Sequence, residues 1–211
     1  MSSKLVIFDL DGTLNKTELF TVPATQQVLK EFNAGEFSRE EILSMMGGVV
    51  YEFAQKYLPD RSKEEQDRFM KRLGEVERDY MKINCGTFDG VMESLIKLKE
   101  NGYKTAVCSN AFLPYISRVI TALGMEPYMD YKRPLIEGKT KIDTLGILLE
   151  EVKPDKAVMV GDRLYDLQAA RANNIPFIGC LYGYGKAEMR DSDLCVKTGF
   201  EIFDAVKQLL G

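Results

Sequence analysis

The stretch Leu5–Leu14, LVIFDLDGTL, sets a greasy run against two aspartates two positions apart and then a glycine. Its first half is an unbroken series of Leu, Val, Ile and Phe, the pattern of a strand buried on both faces, and such strands belong to parallel sheets covered by helices. Two carboxylates this close repel each other, and Gly12 gives up backbone order. A strand that ends this way needs a reason. An Asp-x-Asp-Gly turn offers one, because aspartate accepts local backbone bonds and glycine supplies positive φ. A calcium loop does not: its sixth position wants glycine, and Leu14 stands there.

Outward from this run, short apolar segments alternate with longer helical patterns. Lys4–Phe8, Tyr103–Ser109, Lys156–Gly161 and Ile175–Cys180 read as strands. Helical periodicity marks 90–102, closed by an Asn101-Gly102 C-cap, then 113–123, 140–152, 164–173 and 200–210. This alternation predicts a Rossmann-like three-layer α/β/α core built on a parallel sheet. Residues 15–84 break the rhythm, being helical without convincing strands. Two capping-box patterns, Ser38-x-x-Glu41 and Ser62-x-x-Glu65, open helices there. Phe53 and Tyr57 lie one turn apart, as do Phe69 and Leu73, a spacing that suits packing between helices. The expected organisation is a core of residues 1–14 and 85–211, with an all-helical cap of 15–84 inserted after the first strand.

Composition narrows the chemistry. The 211 residues are 45% hydrophobic, enough for a sizeable core, and carry 28 Lys+Arg against 32 Asp+Glu. A net charge of -4 argues against general affinity for nucleic acid or anionic membrane. Histidine is absent, which removes Ser-His and Cys-His mechanisms and His-based metal sites. Carboxylates, lysines and hydroxyls remain, and these favour hard cations such as Mg²⁺. Cys85, Cys108, Cys180 and Cys195 are far apart and form no Cys-x-x-Cys pair, as in reduced cytosolic chains. Met1-Ser2-Ser3-Lys4 leads straight into the first strand, and no apolar run approaches the ~20 residues that span a bilayer. A cytoplasmic location is expected.

In an open parallel sheet, ligands bind beyond the carboxyl ends of the strands. Polar punctuation falls there four times: Asp9-Leu10-Asp11-Gly12-Thr13, Ser109-Asn110, Lys139 with Lys141, and Gly161-Asp162 with Asp166 beyond. Each alone reads as a turn or a helix cap. Together they put carboxylates, a hydroxyl and an ammonium on one rim. In order and placement they resemble the four motifs of the haloacid dehalogenase-like phosphohydrolase superfamily. GTFDGVMESLIKLKENGYKTAVCSN and VMVGDRLYDLQAARANNIPFIGCLYGYG are similar to its phosphoglycolate phosphatase-like branch.

The resemblance implies a mechanism. Asp9 is the nucleophile that forms an aspartyl-phosphate, and Asp11 the general acid and then base. Mg²⁺ would be held by the Asp9 carboxylate, the Asp11 carbonyl and Asp162, with Asp166 beside them. Thr13, Ser109, Asn110 and a lysine would bind the phosphoryl group. Both Lys139 and Lys141 qualify; Lys141, one turn before Leu145, is preferred. The implied activity is a Mg²⁺-dependent phosphatase acting on a small phosphorylated metabolite: phosphoglycolate, pyrophosphate, a nucleotide or a sugar phosphate. A phosphomutase, or a regulator that binds phosphate without turnover, are the alternatives. Gly47-Gly48 is a candidate for a loop that reaches the substrate, or else a plain interhelical turn. Gly183–Gly185, GYG, is too short for a dinucleotide fingerprint and reads as a loop.

Overall fold

A computed structural model describes residues 3–48 and 50–211. Among them one parallel sheet is formed by β1 (Lys4–Phe8), β2 (Lys104–Cys108), β3 (Tyr131–Arg133), β4 (Lys156–Gly161), β5 (Phe177–Cys180) and β6 (Leu194–Val196). The spatial order is β3-β2-β1-β4-β5-β6, so the direction of winding reverses between β1 and β4. A crevice opens at such a switch point, beyond the carboxyl ends of the strands. Phe8 pairs with Val107 on one side and Val160 on the other, and the Asp9 amide donates to the Val160 carbonyl at 2.9 Å. Asp9 therefore leaves the sheet beside the end of β4.

The unbroken apolar run of β1 is explained by its two covered faces. Val6 and Phe8 join a core with α5 (Val91–Glu100), α6 (Leu113–Ala122) and α9 (Ile202–Leu210). Leu5 and Ile7 point the opposite way, into a core with α7 (Lys141–Val152) and α8 (Leu164–Ala172). Successive strand side chains alternate between faces, so a two-sided sheet demands apolar residues at every position.

Between β1 and α5 the chain forms α1 (Glu18–Glu31), α2 (Arg39–Ser44), α3 (Val50–Tyr57) and α4 (Lys63–Ile83). These helices bury a core of their own, in which Val28, Leu29, Tyr57, Phe69 and Leu73 meet. Both predicted N-caps form, the Ser38 one as a full capping box and the Ser62 one by its side-chain half alone. The Ser38 hydroxyl accepts the Glu41 amide at 3.2 Å while the Ser38 amide donates to Glu41 Oε2 at 2.7 Å, and Ser62 accepts the Glu65 amide at 3.3 Å.

β3 and β6 were not anticipated. Each has three residues and sits at a sheet edge, too short for a period-of-two pattern to register. Ile175–Cys180 yields a strand only from Phe177. All four cysteines are free thiols, with Cys108 and Cys180 buried. Among the described residues no helix is long and apolar enough to cross a membrane.

Candidate active site

The four strand-end motifs converge. Asp9, Asp162 and Asp166 are buried, and each offers an oxygen within 4.8 Å of the others. Lys141, the first residue of α7, is buried with them; its Nζ lies 2.5 Å from Asp9 Oδ1 and 2.5 Å from Asp166 Oδ1. Thr140 positions that lysine by opening α7 with a capping box to Asp143. Lys139, two residues earlier, is exposed in the preceding turn. The geometry thus brings Lys141, and not Lys139, to the aspartates.

Neighbouring backbone fixes each carboxylate. Asp166 Oδ2 accepts the amides of Asp162 and Arg163 at 3.1 and 3.0 Å, closing the first turn of α8. Asp162 accepts the Thr13 hydroxyl at 3.1 Å and the Tyr184 amide at 2.7 Å. Gly12 has φ +89°, and a Cβ there would fall 2.5 Å from Asp162 Oδ2. Gly183 is equally confined, its virtual Cβ 2.3 Å from that of Asp162. The GYG loop, expected to be a plain loop, is therefore part of the site's wall.

Asp11 faces a different set of partners. Its Oδ1 accepts Asn15 Nδ2 at 3.1 Å, the Thr17 hydroxyl at 2.6 Å and the Tyr115 hydroxyl at 2.7 Å. None of these three was singled out from the sequence; Tyr115 lies on α6, about a hundred residues away, and only the fold joins them. Ser109 accepts the Ala111 amide at 3.1 Å, which leaves its hydroxyl proton to donate elsewhere. Asn110 Nδ2 donates to the Gly47 carbonyl at 2.9 Å, tying the sheet to the turn between α2 and α3. Arg163 reinforces the tie, donating to the Met46 carbonyl and, at 3.3 Å, to that of Ser44, while its Nε reaches Glu188.

Electrostatics leaves the centre incomplete. Burial pushes the Asp9 carboxyl well above the usual range; Lys141 opposes this, and Asp166 and Asp162 add to it. Burial, then the Asp166 charge, raises Asp162 to about 7. Burial raises Asp11 as well, against the hydrogen bonds from Thr17, Tyr115 and Asn15. Burial alone would depress the Lys141 ammonium, but Asp166 and Asp9 outweigh it, so its pKa lies above the ordinary lysine value. The Lys141 ammonium pairs with two of the three clustered carboxylates, and Asp9 Oδ2 is buried without a hydrogen-bond partner among the described residues. An all-oxygen cluster with an orphaned carboxylate oxygen fits a hard divalent cation.

Asp9, Asp11, Ser109 and Asn110 form one end of a cavity of about 520 Å³ that runs in among the inserted helices. Gly47 and Gly48 line it, as do Phe53, Tyr57 and Leu73. Phe53 and Tyr57, expected to pack, thus line the cavity as well, while Phe69 stays within the helical core.

The chain thus combines an α/β/α core and a helical insertion with a buried carboxylate-lysine centre at the sheet's switch point. The family model for haloacid dehalogenase-like hydrolases matches residues 6–180, and the chain belongs to that family. It is similar to the phosphoglycolate phosphatase of Aquifex aeolicus, with 29% identity over 201 residues and 90% of each chain covered. A likeness of 27% identity over 223 residues links it to the tyrosine-protein kinase PtkA of Mycobacterium tuberculosis, covering 100% of this chain and 73% of that one. Among solved structures, a predicted phosphoglycolate phosphatase from Haemophilus somnus superposes with a TM-score of 0.89 at 21% identity, covering 97% of this chain and 98% of the other.

Proposed function

We propose that this hydrolase is a Mg²⁺-dependent phosphomonoesterase that works through an aspartyl-phosphate on Asp9, with residues 15–84 as the cap over a core of 1–14 and 85–211. The observation that carries the reading is the buried Asp9, with one oxygen on Lys141, the other without a partner among the described residues, and an oxygen within 4.8 Å of one on each of Asp162 and Asp166. A carboxylate held this way attacks phosphorus, and the leaving oxygen departs in line.

Each neighbour has a part. Asp11 is held by three donors on one oxygen, which leaves the other to carry a proton to the leaving group and then to take one from water. Its raised pKa suits a group that must be protonated for the first step. Ser109 donates to a phosphoryl oxygen, and Lys141 offsets its charge. Thr13 orients Asp162, a role behind the ligand rather than on the phosphate. Asn110 binds the Gly47 carbonyl, so it seats the cap beside the phosphoryl site. Asp9, Asp162 and Asp166, with the Asp11 carbonyl by family resemblance, would hold Mg²⁺. When bound, the ion neutralises the crowded carboxylates and polarises the phosphoryl group.

The substrate is a small phosphorylated metabolite, as the names of relatives such as the phosphoglycolate phosphatases suggest. The test is phosphate release from a phosphomonoester panel with Mg²⁺, comparing wild type with Asp9→Asn. Turnover in the wild type and its loss by at least about a thousandfold in the variant are expected, as for removal of a covalent nucleophile. Free phosphate should appear mole for mole with substrate lost, which a phosphomutase would not give. Equal rates in the two proteins would overturn the assignment of Asp9.

A further inference from the structure

The cap end of the cavity is built for a leaving group larger and less acidic than a two-carbon acid. The whole cavity, from Asp9 to the cap helices, holds about 520 Å³, within the ~300–1,000 Å³ range of pockets that enclose drug-sized ligands. Three features of its wall have no structural explanation.

Tyr57 is 2% exposed, yet its hydroxyl makes no hydrogen bond of normal geometry among the described residues, although Thr25 stands close to it. A buried hydroxyl without a partner is costly unless a ligand supplies one.

Glu77 lines the same cavity. Thr21 donates to its Oε1 at 2.8 Å, and among the described residues no ion pair closes on it. Arg118, which lines the same cavity, and Arg78 offset its charge without forming an ion pair with it. A tie between α1 and α4 needs no carboxylate, since Leu73 and Phe69 pack that interface as hydrocarbons.

Gly74 shares the cavity-lining stripe of α4 with Met70 and Glu77, at i, i+4 and i+7. A glycine inside a helix costs about 1 kcal/mol. No protein neighbour requires it, because a Cβ there would meet only Arg78 Nη1, at 3.8 Å.

We propose that the cap pocket selects phosphomonoesters of a ring-sized apolar alcohol carrying a hydrogen-bond donor, hydroxyl or ammonium, at the end remote from phosphorus. Gly74 makes room for the ring, Met70 and Phe53 face its apolar body, and Glu77 and Tyr57 receive the donor. A distal carboxylate would instead meet Glu77, with Asp11 behind it. The inference rests on the phosphomonoesterase reading, and its test separates the two.

Steady-state kcat/KM is measured at pH 8 with Mg²⁺ for phosphoglycolate, benzyl phosphate, 4-carboxybenzyl phosphate and 4-(aminomethyl)benzyl phosphate. The aminomethyl ester should exceed the carboxybenzyl ester and phosphoglycolate by at least tenfold. Glu77→Gln should lower the aminomethyl ester about tenfold more than benzyl phosphate. Gly74→Leu, which improves helix propensity and so keeps the fold, should lower the benzyl esters about tenfold relative to phosphoglycolate. Preference for phosphoglycolate, or equal losses on all esters in both variants, overturns the inference and leaves the phosphomonoesterase reading intact. Binding of 4-(aminomethyl)benzylphosphonate and 3-phosphonopropionate, read by titration calorimetry, covers the opposite case. Tighter binding of the aminomethyl compound without turnover of any ester would uphold the pocket and sink the phosphatase; tighter binding of the phosphonopropionate sinks the pocket.

Discussion

Gly12 is constrained twice: its φ of +89° strains any L side chain, and a Cβ would strike Asp162. The residue that lets the chain turn after Asp11 also lets two strand ends approach within carboxylate contact. Asp11 shows the complementary case, a carboxylate held in part by Tyr115, a residue distant in sequence. Tyr115→Phe removes one of its three donors while keeping the ring packed against Phe20. A single hydrogen bond is worth about 1 kcal/mol, so kcat should fall roughly three- to tenfold. A donor to a carboxylate favours the charged form, and its loss should raise the Asp11 pKa. A kcat–pH profile whose Asp11 limb stays in place would rule out this role for Tyr115. The Asp-x-Asp-Gly pair was legible because strand and motif are contiguous. Tyr115 was not, since a tyrosine in an amphipathic helix looks like packing until the fold sets it beside Asp11.

Among the elements, α1 does more than pack. Thr17, Thr21 and Thr25 recur every four residues, so one stripe of hydroxyls faces the cavity and starts at Asp11. That spacing was present in the sequence as a signal, and helical periodicity alone gave no reason to weigh it. The turn between α2 and α3 is a second case. Gly47 has φ +79°, and its virtual Cβ lies 2.9 Å from Arg163 Cγ, so the turn is moulded on the α8 N-terminus. Arg163→Ala cuts the bonds to Met46 and Ser44. We expect kcat/KM to fall by about 1–2 kcal/mol, roughly five- to thirtyfold, with faster proteolysis around residues 44–48. An unchanged cleavage rate would mean that the cap is seated by other contacts. The long strands and helices were readable because their periodicity is long; β3 and β6 were missed because three residues carry none.

At the scale of the whole molecule, the charges left unbalanced in the fold should show in its stability. An ion that binds only the folded chain stabilises it by RT ln(1 + [L]/Kd), about 2.7 kcal/mol at a hundredfold excess over Kd. Millimolar Mg²⁺ should raise the melting temperature of the wild type, and Asp162→Asn should remove most of that rise. No shift with Mg²⁺ in the wild type would count against the metal site. Glu77 gives a second handle. Burial lifts its carboxyl from 4.5 to about 7, against the Thr21 hydrogen bond. Between those values the folded chain holds a proton that the unfolded chain has lost, so stability declines as pH rises through this window. Glu77→Gln removes that term. The loss of stability between pH 5 and pH 8, followed by urea unfolding, should shrink by on the order of 1–3 kcal/mol relative to wild type. An identical loss in the variant would show that Glu77 does not titrate there.

By itself the sequence determined the parallel sheet, the helical insertion and the set of strand-end groups, because buried strands, capping boxes and motif spacing are local patterns of polarity. Only the tertiary structure set Lys141 rather than Lys139 against Asp9, brought Tyr115, Tyr184 and Arg163 to the same place, and hollowed the insertion around Glu77. Those outcomes depend on which distant surfaces meet and what space they leave. Such information lies in the packing of one element on another, and no single segment contains it.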